Sequence, residues 1–428
     1  MTFTQALRAL EARQPTRMVP DLDRMRALSE LLNHPQRTYP SIHITGTNGK
    51  TSTAIVATEL LRALGLSVGT YTSPHLHSVR ERIAYDGAPI SEEEFAEALD
   101  YLAPYLSQVD AQGEVVTYFE TLTMLAQAWF AERAVDAAVI EVGMGGEWDA
   151  TNLIDSRVAV ITEVAVDHPE LGKTPVEIAR EKVGIIKPGS IVVTGETSPA
   201  VLEVIAARSR EVGSELRVEG SRFALEDRRL AVGGQALDLR VGDRRYQEVF
   251  APVFGERLAM DALFGVAAVS AFLGDREIDD AVLSTALGNV KTPGRVEIVK
   301  RQPLVIVDGA HNPDAATSLR SAVEESFRWE RLVLVLGILS DKDIAGVTRI
   351  LAPMADVVIS TRPTSTRAAG ADLVAKEAEA LGFEAIQTNT VEGAVAIALE
   401  QAGDEDCVLI AGSFYTVAEA RNVLLGLT

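Results

Sequence analysis

Ile42-His43-Ile44-Thr45-Gly46-Thr47-Asn48-Gly49-Lys50-Thr51-Ser52 runs from a β-rich entry through two glycines into a lysine and two hydroxyls. Residues 54–64 then carry a helical pattern. Glycines let backbone N–H groups turn inward around a phosphate, and a helix N-terminus behind them favours negative charge. Lys50 is placed to reach β/γ-phosphates, and Thr51 or Ser52 to hold a nucleotide-associated magnesium. The usual phosphate loop has four residues between its glycine and the Gly-Lys pair, whereas here only Thr47 and Asn48 intervene. A plain turn with an incidental lysine is the alternative. Strand before, helix after and the Lys-Thr-Ser order favour an ATP site.

Composition narrows what surrounds that site. At 428 residues the chain exceeds one ordinary domain of about 150 residues, which predicts two or three. Hydrophobic residues make up 47%, enough for substantial cores. A formal charge of −21 argues against a nucleic-acid surface, which needs lysine and arginine to displace counterions. Anionic substrates must therefore be captured by local groups against a repelling global field. One cysteine, Cys407, in the apolar run Cys407-Val408-Leu409-Ile410-Ala411, excludes an intrachain disulfide framework and multi-cysteine zinc, and reads as a small core residue. No apolar leader core or membrane-length run is evident, so a cytoplasmic protein is expected.

From about residue 41 onward, β-rich runs alternate with helical patterns, as in parallel α/β layers. Strands are expected at 67–71, 137–142, 158–164 and 190–194, and helices at 94–106, 117–133 and 175–183. Short alternating runs between 216 and 250, separated by Gly233-Gly234 and Gly242-Asp243, predict a small antiparallel subregion. Helices follow at about 258–273 and 279–287. Lys291-Thr292-Pro293-Gly294-Arg295 reads as a hinge. Beyond it strands at 304–307, 332–336, 357–360, 385–387 and 408–411 alternate with helices, a second, smaller doubly wound domain. The expected division is 1–293 and 294–428.

Several segments place polar residues directly after apolar strands, where open α/β sheets bind ligands. Glu141, before Val142-Gly143-Met144-Gly145-Gly146, is a carboxylate suited to a hard divalent cation, or else an ordinary surface glutamate. His168 follows the 158–164 strand in Asp167-His168-Pro169. A lone histidine is more often structural, but proximity to the phosphate site makes it a second metal or phosphate ligand candidate. Lys182 either pairs with a carboxylate on its helix or carries a modification that makes it an anionic ligand. Ser73 offers a hydroxyl ligand, or only a turn before Pro74. Asp308 and His311, in Asp308-Gly309-Ala310-His311-Asn312-Pro313, repeat the theme in the second domain, with helix-cap and loop roles as the alternatives.

These segments, together with Tyr71-Thr72-Ser73-Pro74-His75, Asp149-Ala150-Thr151-Asn152, Glu181-Lys182-Val183-Gly184, Pro293-Gly294-Arg295 and Gly412-Ser413-Phe414-Tyr415, occur in an order that resembles the folylpolyglutamate synthase/dihydrofolate synthase family of the Mur-ligase superfamily. The resemblance covers essentially the whole chain. It implies a Mur-ligase-like P-loop ATPase domain with a small antiparallel β subregion and a smaller C-terminal α/β domain that helps bind glutamate. It further implies an ATP- and magnesium-dependent ligase that adds L-glutamate to dihydropteroate, reduced folates or both through an acyl phosphate.

Residue by residue, the resemblance assigns Thr47, Asn48, Gly49, Lys50, Thr51 and Ser52 to ATP, with Asp261, Arg295 and Asp308 as further nucleotide contacts. Ser73 and Glu141 match ligands of one magnesium. His168 and Lys182, as N6-carboxylysine, match ligands of a second. Lys50, Lys182, His168, Asp308 and His311 form the implied catalytic set. Pro20, Asp21 and Leu22, then Thr117, Tyr118, Phe119 and Glu120, then Trp148, Asp149 and Ala150, and finally Ser413, fall where the family contacts substrates. Three departures stand out: Glu147 where arginine is common, Arg257 and Asp261 where glutamine and asparagine are usual, and a segment after His168 shorter by about one residue. They motivate a ligase of the same superfamily acting on a non-folate acid as an alternative, and a catalytically inactive nucleotide-binding regulator as a second. Small-molecule substrates, no nucleic acid, no membrane and a monomer complete the expectation.

Overall fold

A computed structural model describes residues 1–15, 20–167 and 170–427. The chain forms two compact units: one of Met1–Ala231, Gln235–Pro252 and Ala259–Val290, the other of Val232–Gly234, Val253–Leu258 and Lys291–Thr428.

The strands of the first unit are β1 Ser41–Thr45, β2 Val68–Tyr71, β3 Ile83–Tyr85, β4 Ala88–Pro89, β5 Ala137–Glu141, β6 Val158–Ile161, β7 Ile191–Thr194 and β8 Glu215–Val218, in the order β4-β3-β2-β5-β1-β6-β7-β8. From β2 to β8 neighbours run parallel, whereas β3 pairs antiparallel with β2 and β4. β1 is buried throughout and lies between β5 and β6. Ser41, His43 and Thr45 alternate with Ile42 and Ile44, yet all five are buried, because the strand is covered on both faces. The loops leaving β5, β1 and β6 therefore emerge side by side.

The helices of this region are α1 Phe3–Glu11, α2 Asp23–Leu31, α3 Lys50–Ala63, α4 Glu92–Asp110, α5 Tyr118–Glu132, α6 Pro175–Lys182, α7 Pro199–Val212, α8 Gly255–Phe272 and α9 Asp280–Gly288. Ala6, Leu10, Met25 and Leu28 of α1 and α2 share one core with Phe95, Leu99, Leu122 and Leu125 of α4 and α5. A second core joins Ile178 and Ala179 of α6 to Val201 and Ile205 of α7 beneath β6 and β7. Strands β9 Phe223–Ala231, β10 Gly234–Val241 and β11 Arg244–Ala251 form a separate three-stranded sheet, with β11 antiparallel to β10.

Among the expected boundaries that move, two bear on the architecture. Residues 216–218 belong to β8 of the main sheet, parallel to β7, rather than to the antiparallel subregion. Arg217 disguises that strand: it is buried with Asp275 at 2.5 and 2.9 Å and Glu215 at 2.8 Å, so a charged residue occupies an inward position. Helix α3 begins at Lys50 rather than 54, because Gly49, at φ +86°, turns the chain immediately into it.

The second unit has strands β12 Glu297–Arg301, β13 Leu304–Val307, β14 Leu332–Leu336, β15 Val357–Ser360, β16 Ala385–Gln387 and β17 Cys407–Ala411, in the order β12-β13-β17-β14-β15-β16. All neighbours are parallel except β12, an antiparallel edge absent from the sequence reading. Helices α10 Pro313–Ser326, α11 Ile344–Leu351 and α12 Ala371–Ala380 pack as one set, α13 Val391–Gln401 and α14 Phe414–Leu425 as another. Cys407 is buried in β17.

Candidate active site

The loop 46–49 is held from behind by the segment after β6. Thr47 N–H donates to Glu163 O at 2.6 Å, Thr47 Oγ1 donates to Ala165 O at 2.9 Å, and the Asn48 amide donates to Glu163 Oε2 at 3.1 Å. Thr162 Oγ1 donates to Asn48 O at 2.6 Å. A Cβ on Gly46 would lie 1.8 Å from Thr162 Oγ1, so only glycine lets the two loops close together. Lys50 Nζ folds back on the same loop, donating to Gly46 O at 2.9 Å and Thr47 O at 3.2 Å.

Glu141, buried at the end of β5, gathers the cation candidates. Its carboxylate accepts from Thr51 Oγ1 at 3.0 and 3.1 Å and from the Ser73 backbone N–H at 3.0 Å. Ser52 is buried within α3, so Thr51 is the hydroxyl at the site. A carboxylate with the Thr51 hydroxyl oxygen beside it is a hard oxygen pair, suited to magnesium. Among the described residues no three His, Cys, Asp or Glu side chains cluster as a metal site, and His168 lies outside those residues.

Lys182 ends α6, is buried, and shares a cavity with Lys50, Thr47, Gly145 and Asp167. Burial drives its ammonium well below the ordinary lysine range, and Lys50 pushes the same way against the weaker opposing pull of Asp167 and Asp149. A buried neutral amine is a nucleophile towards carbon dioxide, the chemistry a lysine carbamate requires.

The loop 143–146 forms the other wall of that cavity. Gly146 sits directly on α6: a Cβ there would meet Glu181 O at 2.6 Å and Lys182 O at 2.8 Å. Thr45 Oγ1 donates to Gly145 O at 2.7 Å. Asp149 accepts from Met144 N–H at 2.8 Å, Thr151 N–H at 3.0 Å and Thr151 Oγ1 at 2.6 Å, and burial raises its carboxyl above the usual range. Trp148 hydrogen-bonds the Glu181 carboxylate. Ala150 is buried in the turn that follows. Glu147 is exposed and lies across Gly184, within electrostatic reach of Lys187.

The N-terminus of α5 adjoins this loop, with the Phe119 ring against Gly143 and 5.9 Å from Tyr71. Thr117 and Glu120 cap α5 reciprocally, Glu120 Oε2 accepting from Thr117 N–H at 2.7 Å. Glu120 is buried and also takes a forked bond from Arg24, at 2.9 and 3.1 Å. That fork ties α5 to the segment holding Pro20, Asp21 and Leu22, where Asp21 caps Asp23 N–H at 3.1 Å. Tyr118 lies under the Arg82 guanidinium, 5.7 Å away. Residues 16–19, including Met18, lie outside the described residues. Asp261 is buried on α8, the helix that also carries Arg257.

In the second unit, the ends of β13 and β17 converge. Asp308 accepts from Val296 N–H at 2.8 Å and Ala310 N–H at 2.7 Å, and burial raises its carboxyl while Arg295 opposes. Arg295 stacks 4.1 Å over the Phe414 ring. His311 Nδ1–H donates to Gly309 O at 2.9 Å. Ser413 caps α14, accepting from Thr416 N–H at 3.1 Å. Thr47, Lys50, Thr51, Ser73, Glu141, Lys182, Trp148, Asp149 and Phe119 thus gather around one region of the first unit, and Arg295, Asp308, His311 and Ser413 around one region of the second.

Sequence reasoning missed Glu163, and it placed Arg24 and Phe414 inside segments it singled out without seeing what they hold; each supports a residue it did select. Glu163 follows an apolar strand as Glu141 does, which was a usable signal. The partners of Arg24 and Phe414 are distant or lie across a loop, so their segments alone did not disclose those supports.

Residues 44–269 match the Mur ligase middle domain and residues 294–414 the Mur ligase glutamate ligase domain. The chain is 38% identical to the dihydrofolate synthase/folylpolyglutamate synthase of Mycobacterium tuberculosis, over 99% of this chain and 94% of that protein. It is similar to the M. tuberculosis folylpolyglutamate synthase solved with ADP (TM-score 0.95, 38% identity, 99% and 98% coverage). It also resembles the bifunctional synthase of Yersinia pestis solved with AMPPNP and manganese (TM-score 0.86, 30% identity, 100% and 98% coverage).

Proposed function

From the premise that this chain belongs to the folylpolyglutamate synthase/dihydrofolate synthase family of Mur ligases, we propose that it joins L-glutamate to dihydropteroate and reduced folates through an acyl phosphate. It is an ATP-dependent ligase of folate metabolism. The observation that carries the finer reading is Glu141, which draws Thr51 and Ser73 together beside the Lys50 loop. The cavity that Lys50 shares with Lys182, Gly143, Met144 and Gly145 opens beside it.

A carboxylate is a poor electrophile because its leaving group would be oxide. In the proposed sequence, a substrate carboxylate oxygen attacks the γ-phosphorus of ATP, the bond to the β,γ-bridging oxygen breaks, and ADP leaves. The amine of glutamate then attacks the acyl carbon. The tetrahedral intermediate expels phosphate and, after loss of a proton, leaves the amide. Lys50 exchanges its present bonds to Gly46 and Thr47 for phosphate oxygens and neutralises charge as phosphoryl moves. No side-chain nucleophile is needed.

Glu141, Thr51 and Ser73 would hold magnesium, which when bound supplies charge neutralisation on the phosphates. Lys182, carboxylated, and His168 would hold a second ion. Thr47, Asn48, Gly49, Ser52 and Asp261 complete the nucleotide site of residues 1–293. Arg295 and Asp308 contribute nucleotide contacts from residues 294–428, with His311 and Ser413 towards glutamate. Pro20 to Leu22, Thr117 to Glu120 and Trp148 to Ala150 would line the pterin substrate. No helix among the described residues is long and apolar enough to cross a membrane. Action as a cytoplasmic monomer completes the reading.

The test is phosphate release with ATP, magnesium and L-glutamate, comparing dihydropteroate with tetrahydrofolate and following labelled glutamate into product. Acid-dependent incorporation is expected. ATP hydrolysis indifferent to both acids would overturn the reading.

A further inference from the structure

The third residue of β1, His43, is fully buried and has no place in the chemistry above. Its Nε2 lies 2.8 Å from Thr151 Oγ1, and Thr151 Oγ1 donates to Asp149 Oδ1 at 2.6 Å. Thr151 has a single hydroxyl proton, already given to the carboxylate. Its oxygen can therefore only accept from histidine, and Nε2 carries the imidazole proton. Nδ1 has no hydrogen-bond partner among the described residues. Orphaned buried N–H groups are rarer than under-satisfied acceptors, which favours the same tautomer. The imidazole is neutral, with its ordinary value lowered to about 3 by burial and by Lys187.

Asp149 Oδ2 in turn accepts from Met144 N–H at 2.8 Å, within the loop that walls the phosphate cavity. We propose that His43 is a positioning residue: its Nε2–H fixes the Thr151 hydroxyl as a donor, and Asp149, so oriented, holds loop 143–146 at the reacting groups. The chain Nε2–H to Oγ1–H to Oδ1 is unidirectional and wholly buried. None of its members can rotate without leaving a polar atom unpaired, which is what gives a glycine-rich loop a single position. The kinetic consequence rests on the ligase reading; the tautomer does not.

The experiment has two arms on the full chain. Nitrogen-15 correlation spectra of histidine, with His43 assigned by its loss in His43→Gln, should show a protonated Nε2 and a bare Nδ1, unchanged between about pH 5.5 and 8. A protonated Nδ1, or titration in that range, overturns the proposal. In parallel, Thr151→Val should lower kcat about tenfold with KM for ATP nearly unmoved, while Thr151→Ser restores turnover. His43→Gln, whose amide N–H2 reaches the Nε2 position, should keep more activity than His43→Leu. Wild-type kcat in Thr151→Val, or lost thermal stability with kcat and KM both unmoved, overturns it equally. Absence of folate turnover in the unmodified chain would instead sink the ligase reading and leave the tautomer as the test of the relay.

Discussion

The Thr51 hydroxyl lies 3.0 and 3.1 Å from the two oxygens of Glu141, a bond that joins the first turn of one helix to the end of a neighbouring strand 90 residues away. Both groups are hard oxygen donors, and the carboxylate is the only anion of the pair. Glu141→Gln keeps the shape and removes the charge. Turnover should fall at least about 100-fold, with the magnesium requirement shifted upwards. Steady-state rates across a magnesium titration, with circular dichroism confirming the fold, check this.

Gly46→Ala should damage the loop more than a methyl group ordinarily would. Its Cβ would stand 1.8 Å from Thr162 Oγ1, and φ there is +154°. The loop must move off the segment that supports it, at a cost of about 1–3 kcal/mol. Thermal unfolding should show the loss, and calorimetry should show weakened nucleotide binding.

Arg24→Ala leaves Glu120 buried without its forked partner, although Thr117 N–H still bonds to it. Breaking a buried pair from one side costs about 3 kcal/mol. Denaturant unfolding measures this. The double variant Arg24→Ala with Glu120→Gln should recover part of the loss, because the stranded charge goes with it.

His43 makes stability fall in acid. Its folded value is lowered from 6.5 to about 3, so between those limits the unfolded chain binds a proton that the folded chain refuses. Stability is therefore present above about pH 6.5 and declines as pH drops, with a slope approaching about 1.4 kcal/mol per pH unit from this group. His75, lowered to about 4 by burial and Arg82, adds in the same direction. Unfolding free energies between about pH 5 and 7.5 should show a shallower slope in His43→Gln.

Lys182→Ala should abolish turnover, and added small carboxylates should restore part of it by occupying the space of the carbamate. Depleting carbon dioxide should slow the unmodified protein. Undiminished turnover in Lys182→Ala would remove the carbamate from the mechanism.

Local sequence sufficed wherever one segment supplied its own physics. The loop 46–49 needs glycine between strand and helix, and the apolar runs of β5 and β6 announce strands covered on both faces. Lys50, Glu141 and Asp167 were legible as polar groups at strand ends. Arg217 shows where this fails: a buried, paired arginine looks like a surface residue until Asp275 is brought to it.

Residue order alone therefore determined the parallel α/β architecture and marked the polar candidates at strand ends, since both follow from periodicity and side-chain type over short spans. Tertiary structure decided partnership. That β1 lies between β5 and β6 is what puts Thr51 on Glu141 and Thr47 on Glu163. The pairing of His43 with Thr151, and of Arg24 with Glu120, depends on sheet order and helix packing across about a hundred residues, information that no window of sequence contains.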